Sequence, residues 1–166
     1  GIIRKHGKPD EIRLEMARDL KNPKKVRDEI QKHNRDQEKK RGEAREILQA
    51  DFAPFENTEP NRDDIEKYLL WKECFEDSAG QCPYTGKIIP RDSLFTQEVQ
   101  VEHIIPYSRS LDNSFNNKTL CFAEENARKG NQTPYELYNG TEQYEDVLGR
   151  TAKLPYPKRR RFTLKD

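Results

Sequence analysis

The spacing of apolar and polar positions changes several times along this chain. Near the start, Ile12, Leu14 and Met16 alternate with Arg13 and Glu15, the period of a short strand, and MARDL turns toward helix. From about residue 23 to residue 50, KKVRDEIQKHNRDQEKKRGEAREILQA is built of helix formers and mixed charge. Its few apolar positions, Val26, Ile30, Ala44, Ile47 and Leu48, predict a long, mostly solvated helix with a break near Gly42. FAPFENTEPN has the Pro and Asn of a loop. Asn61 then caps RDDIEKYLLWKECFED, whose acids fall in the first turn. Ile65, Leu69, Trp71 or Lys72, and Phe75 recur at near-helical spacing, an amphipathic and core-facing helix in which Trp71, Cys74 and Phe75 serve packing.

The next stretch changes period. SAGQCPYTGKIIPRDS is turn-rich and predicts a hairpin or knuckle around Pro83 to Gly86. VQVEHIIP reads as a strand, YSRSLDNSFNN as a long polar loop with the turn formers Asp112 and Asn113, and KTLCFA as a second short strand. EENARKGNQ has acids at its start and bases at its end, as a short helix prefers. TPYELYNG and TEQYEDVLGR predict further short helices, and PYPKRRRFTLKD an extended basic end. Residues 99–130 therefore spell strand, loop, strand, helix. Such a ββα unit is too small to hold a core alone, so the helix at 62–77 is expected to cover it.

Composition narrows the classes. The chain has 166 residues, 37% charged and 32% hydrophobic, too polar for a uniformly packed globule. Its 31 basic and 30 acidic residues give a net charge of +1, so any nucleic-acid contact must come from local clusters. For the charged helix, a solvated connector and a nucleic-acid face both remain open. No apolar run approaches the length of a membrane span, and no signal peptide is expected. Three sparse cysteines, Cys74, Cys82 and Cys121, fit a reducing cytoplasm. A chain that opens on Gly1 is expected to be a piece of a longer protein.

Inside the first strand of the ββα unit sits an unexpected pair, Glu102 and His103, among Val99, Val101, Ile104 and Ile105. Neighbours on a strand point to opposite faces, so the pair can serve one site only where the strand ends, and Pro106 promises that end. One carboxylate and one amide, as from Glu102 and Asn126, make a sparse oxygen set for a hard divalent cation. A neutral imidazole beside it can take a proton from water. That is the chemistry of one-metal phosphodiester hydrolysis. By itself, a lone Glu–His pair is more often structural.

The joint pattern adds a resemblance. VEHIIPYSRSLDNSFNNKTLCFAEENARKG resembles the HNH nuclease motif through Glu102, His103, Ile104, Ile105 and Pro106, then Asn117, Leu120, Asn126 and Lys129, with Asn126 following His103 by 23 residues. SFNNKTL followed by ENARKGNQTPYEL is similar to the HNH insert of type II CRISPR RNA-guided DNA endonucleases, the compact subtype. KPDEIRLEMARDL is similar to their second RuvC-like segment, where the residue matching Glu15 binds metal. PKRRRF looks like the return toward the third.

The resemblance implies an α+β fold, an α-rich domain around a ββα-metal motif with a long charged N-terminal helical connector. It divides the chain into a RuvC-like fragment at 1–20, a charged helical linker at 21–61, an HNH nuclease domain at 62–154 and a basic linker at 155–166. It implies His103 as general base, Glu102 and Asn126 as metal ligands, and Asn117 as a second catalytic residue, at a position near the site. Lys118, Arg128, Lys129 and the run from Lys158 to Arg161 are candidate phosphate contacts, with ordinary solvated positions as the alternative.

Two departures stand out. Position 102 is usually Asp in the family, and position 125, often the motif's second His, is Glu here. Free-standing members often carry Cys-x-x-Cys zinc knuckles. Here Cys82 pairs with Thr85 and Cys121 with Glu124, so packed thiols and no structural zinc are expected. The implied function is Mg²⁺-dependent cleavage, with Mn²⁺ as substitute, of the DNA strand paired to a guide RNA, in a prokaryotic cytoplasm. The implied partners are guide RNA, target DNA and the rest of the enzyme, with no membrane. Two alternatives are a free-standing HNH endonuclease of homing or restriction type and a non-catalytic nucleic-acid-binding scaffold.

Overall fold

The computed structural model describes residues 23–165. The strand and helix expected within 8–20, and the metal role expected for Glu15, lie outside the described residues. The chain divides into two compact units, residues 1–38 and 39–166. Helix α1 (Lys24–Asp51) begins in the first and ends in the second. In the first unit its described side chains are almost all exposed, Val26 and Ile30 included.

The second unit shows why a polar chain packs at all. The last turns of α1 bury Ala44 and Leu48. The helix runs through Gly42 without the expected break; a helical Gly costs only about 1 kcal/mol, and the surrounding Glu, Arg, Lys and Ala residues favour helix. A 3₁₀ turn (Ala53–Phe55) then buries Phe55. Phe52 stands edge-on to Tyr68, Trp71 and Phe95, each within 6.3 Å between centroids. Residues 39–61, expected as linker, thus supply core side chains.

Helix α2 (Arg62–Ser78) starts where the sequence places it. The Asn61 side chain accepts from the amides of Asp63 and Asp64, and the Asp64 carboxylate accepts from the Asn61 amide. Such a cap stabilises a helix by about 1 kcal/mol. The helix buries Ile65, Tyr68, Leu70 and Cys74, while Phe75 stays 44% exposed and lies against Trp71, 4.3 Å between centroids.

β1 (Val99–His103) and β2 (Lys118–Phe122) form an antiparallel two-stranded sheet, with Gln100 opposite Cys121, Glu102 opposite Thr119 and His103 opposite Lys118. The expected loop between them carries one helical turn, α3 (Tyr107–Ser110), and a 3₁₀ turn (Phe115–Asn117). α4 (Ala123–Lys129) completes the ββα unit. α2 packs on β2, and α4 packs on both strands, so the hairpin is covered as expected.

α5 (Pro134–Tyr138) and α6 (Glu142–Thr151) follow, each N-capped by a threonine. The expected extended end is instead helical, α7 (Tyr156–Arg159) and a 3₁₀ turn (Arg160–Thr163). Phe162 is fully buried there and accepts a backbone bond from Tyr144 Oη at 3.1 Å. Its burial helps hold the basic segment onto the core. The expected knuckle is present as an antiparallel bridge between Gln81 and Ile88. Cys74, Cys82 and Cys121 are all buried free thiols. Burial pushes the Cys74 thiol up to about 12 and the Cys121 thiol up further.

Candidate active site

β1 separates the two residues that the motif puts side by side. Glu102 shares its strand face with Gln100, toward α4 and the 82–87 turn. His103 falls on the other face, at the strand's last position.

On the first face Glu102 is 2% exposed. Its Oε2 accepts from Tyr84 Oη at 2.7 Å, and its Oε1 pairs with Lys129 Nζ at 2.5 Å. Burial raises the Glu102 carboxyl, while Lys129 and Tyr84 pull it down. Burial and the neighbouring carboxylate push the Tyr84 phenol well up, so it remains a donor. Lys129 also donates to the His103 carbonyl at 3.0 Å, tying α4 to the end of β1. One turn earlier on α4, Asn126 donates Nδ2 to Gln100 Oε1 at 2.7 Å, which leaves its carbonyl Oδ1 available.

On the second face His103 is half-buried and its Nε2 lies 2.9 Å from Asn113 Oδ1. An amide oxygen only accepts, so Nε2–H is the donor in this bond. Tyr107 lies beside the imidazole, 5.6 Å between centroids. The loop that delivers Asn113 is built by Asn117. The Asn117 Oδ1 accepts from the Ile105 amide at 3.0 Å, and its Nδ2 donates to the carbonyls of Ile105 and Asp112, both at 2.9 Å. Asn117 is fully buried and its amide is spent on backbone. It shapes the loop that carries Asn113.

The candidate phosphate contacts separate in the same way. Lys118 is buried and pairs with Glu66 at 2.8 Å. Lys129 is buried against Glu102, and Lys158 is buried on Glu73 and over the Phe115 ring. A buried ammonium needs its partner, so these three lysines hold the fold and do not offer charge at the surface. Arg161 bonds Asp112 at 2.7 Å. Arg128 remains exposed, beside Glu125 at 2.7 Å and over the Tyr138 ring. Arg159 and Arg160 are exposed as well. Tyr84, Arg150 and the Asn113 carbonyl are participants that the sequence did not single out. Their partners lie 18, 66 and 10 positions away, and no local pattern marks them.

Residues 82–135 of the chain match the family model described as HNH endonuclease. Its relatives are the CRISPR-associated endonucleases Cas9, to whose HNH domains this one is homologous. The chain is 34% identical over 98 residues to the *Campylobacter jejuni* subsp. *jejuni* protein, a match covering 58% of this chain and 10% of that one. It is 45% identical over 65 residues to the *Staphylococcus aureus* protein, covering 38% and 6%, and 33% identical over 141 residues to Cas9 1 of *Streptococcus thermophilus*, covering 81% and 12%. The chain therefore spans about a tenth of these relatives' length.

Among solved structures, *Streptococcus thermophilus* Cas9 in complex with the AGAA PAM shares the fold with a TM-score of 0.72 at 24% identity, covering 99% of this chain and 17% of that one. The Type II-C Cas9 from *Actinomyces naeslundii* gives 0.64 at 19%, covering 99% and 20%.

The HNH family implies a divalent metal ion. Among the described residues no group of three or more His, Cys, Asp and Glu gathers to hold one. Oxygens of the kind a hard cation takes are offered by Glu102 and Asn126, on α4's side of β1. Each Glu102 oxygen accepts one bond here and retains a second lone pair.

Proposed function

We propose that this chain is the HNH nuclease module of a longer RNA-guided DNA endonuclease and hydrolyses a phosphodiester of the DNA strand paired to the guide. In this reading His103 Nδ1 takes the proton of the attacking water. Asn113 holds the imidazole through Nε2–H, and Asn117 holds Asn113's loop. Glu102 and Asn126 hold the divalent ion, Mg²⁺ or Mn²⁺, which supplies stabilisation of negative charge on the phosphodiester oxygens. Lys129 keeps Glu102 and the His103 backbone in register. Base pairing with a guide would choose the sequence, so the module need only meet backbone and duplex shape, which accords with a net charge of +1. The RuvC-like nature of residues 8–20 belongs to the same proposal.

The observation that carries the reading is the Asn113–His103 bond. It leaves Nδ1 free to accept a proton at the end of a strand whose other face presents a carboxylate. The test is single-turnover cleavage of guide-paired DNA by the enzyme containing this module. His103→Ala should lower the rate about 10²–10⁴-fold with target binding unchanged. A rate equal to wild type removes His103 from the role.

A further inference from the structure

The turn at 82–87, with the single cysteine Cys82, is held from several directions. Within it, the Cys82 amide donates to Lys87 O at 2.8 Å and the Gly86 amide to Cys82 O at 2.9 Å. From α6, Arg150 forks onto two successive carbonyls, Nε to Pro83 O and Nη2 to Tyr84 O, both at 2.8 Å. Gln143 adds a bond to Tyr84 O at 3.3 Å. Gly86 has φ +71, and a Cβ there would lie 3.1 Å from Arg150 Nη1, so its place in the turn calls for glycine twice over. The turn delivers Tyr84, which is buried between Tyr138 and Phe162, with ring centroids at 5.9 and 5.8 Å. Its hydroxyl ends 2.7 Å from Glu102 Oε2.

We infer that Arg150, the 82–87 turn and Tyr84 form a clamp that positions the Glu102 carboxylate for the metal ion. The inference rests on the reading of Glu102 and Asn126 as the metal-holding pair. The physical need arises from the longer side chain. Glutamate has one more rotatable bond than aspartate, and a ligand oxygen that wanders loses affinity. Two donors on two different oxygens, Tyr84 and Lys129, fix the carboxylate plane and with it the directions of the remaining lone pairs. Tyr84 can do this only if its backbone is fixed, and a planar guanidinium matches two adjacent carbonyls where an ammonium cannot. Tyr84 and Arg150 are positioning residues, acting through Glu102.

The test titrates Mn²⁺ into this chain and follows paramagnetic broadening of the Asn126 and Gln100 side-chain amide signals, with thermal melts alongside. Tyr84→Phe keeps the ring and removes the bond, and should raise the half-saturating Mn²⁺ about 10–100-fold. Arg150→Ala should raise it in the same direction, Arg150→Lys should not restore it, and the double variant should titrate like Tyr84→Phe alone. If Arg150→Ala does not fold, Tyr84→Phe decides. A Tyr84→Phe titration equal to wild type, while Glu102→Gln abolishes broadening, overturns the clamp and leaves the metal pair standing. Broadening that is absent in wild type, or indifferent to Glu102→Gln, overturns the metal pair and the clamp with it.

Discussion

The two faces of β1 solve different problems with neighbouring residues. Toward α4, Glu102 is sealed, 2% exposed, with a donor on each oxygen. Toward the 104–117 loop, His103 stays half-open and has one bond, to a loop amide. A carboxylate that must hold a cation gains from rigid support, because small displacements are costly at a reacting centre. An imidazole that must exchange a proton with water needs one fixed nitrogen and one free. The strand's period of two makes the separation, and β1 ends at His103, three residues before Pro106.

The comparison breaks most sharply at the lysine that joins the faces. Lys129→Ala leaves Glu102 buried without its ammonium, and such losses cost about 3–5 kcal/mol. Chemical denaturation should show a drop of that order, and loss of cleavage with it. Stability within 1 kcal/mol of wild type would mean that the pair is not buried in solution. Asn117→Ala comes next, because three backbone partners lose their amide at once. About 1–3 kcal/mol of stability should go. Cleavage should fall further than stability requires, because Asn113's loop is released; activity retained at a temperature where the variant is fully folded would speak against that.

A smaller effect follows from pH. Burial would raise the Asp112 carboxyl, but bonds from Ser114 and Arg161 outweigh it and hold it at about 2. Arg109, with the Thr133 amide, holds Glu136 at about 2. Both lie below their unfolded values, so their stabilisation is complete above about pH 4–5 and is lost as pH falls toward 2. Melting temperature should decline through that window, and Arg161→Ala should flatten part of the decline. A melting temperature that is constant from pH 5 to pH 2 would contradict these pairings. The smallest effect is expected at Arg128, an exposed partner of Glu125. Arg128→Ala should change stability by no more than about 1 kcal/mol, and any larger loss, in DNA binding, would be read from its salt dependence.

Much of this arrangement was legible beforehand. Short apolar runs between polar loops mark β1 and β2, Asn61 with Asp64 marks the start of α2, and the acids and bases of EENARKG mark α4. The ββα order and the covering helix follow from these. What the sequence hid is which charges go inside. Lys118, Lys129 and Lys158 look like surface lysines until Glu66, Glu102 and Glu73 arrive from 52, 27 and 85 positions away. Asn117 was legible as a motif residue, but its work on loop carbonyls depends on a turn that no local propensity specifies. Phe162 in a basic tail carried no periodic signal, because a single anchor has no period.

The division of labour across β1 is tested most directly by one measurement, single-turnover cleavage as a function of Mg²⁺ concentration for wild type, Glu102→Gln and His103→Ala. The account predicts that Glu102→Gln raises the Mg²⁺ needed for half-maximal rate, while His103→Ala lowers the plateau and leaves that concentration where it was. Curves for Glu102→Gln that superimpose on wild type, or a plateau in His103→Ala equal to wild type, would contradict it.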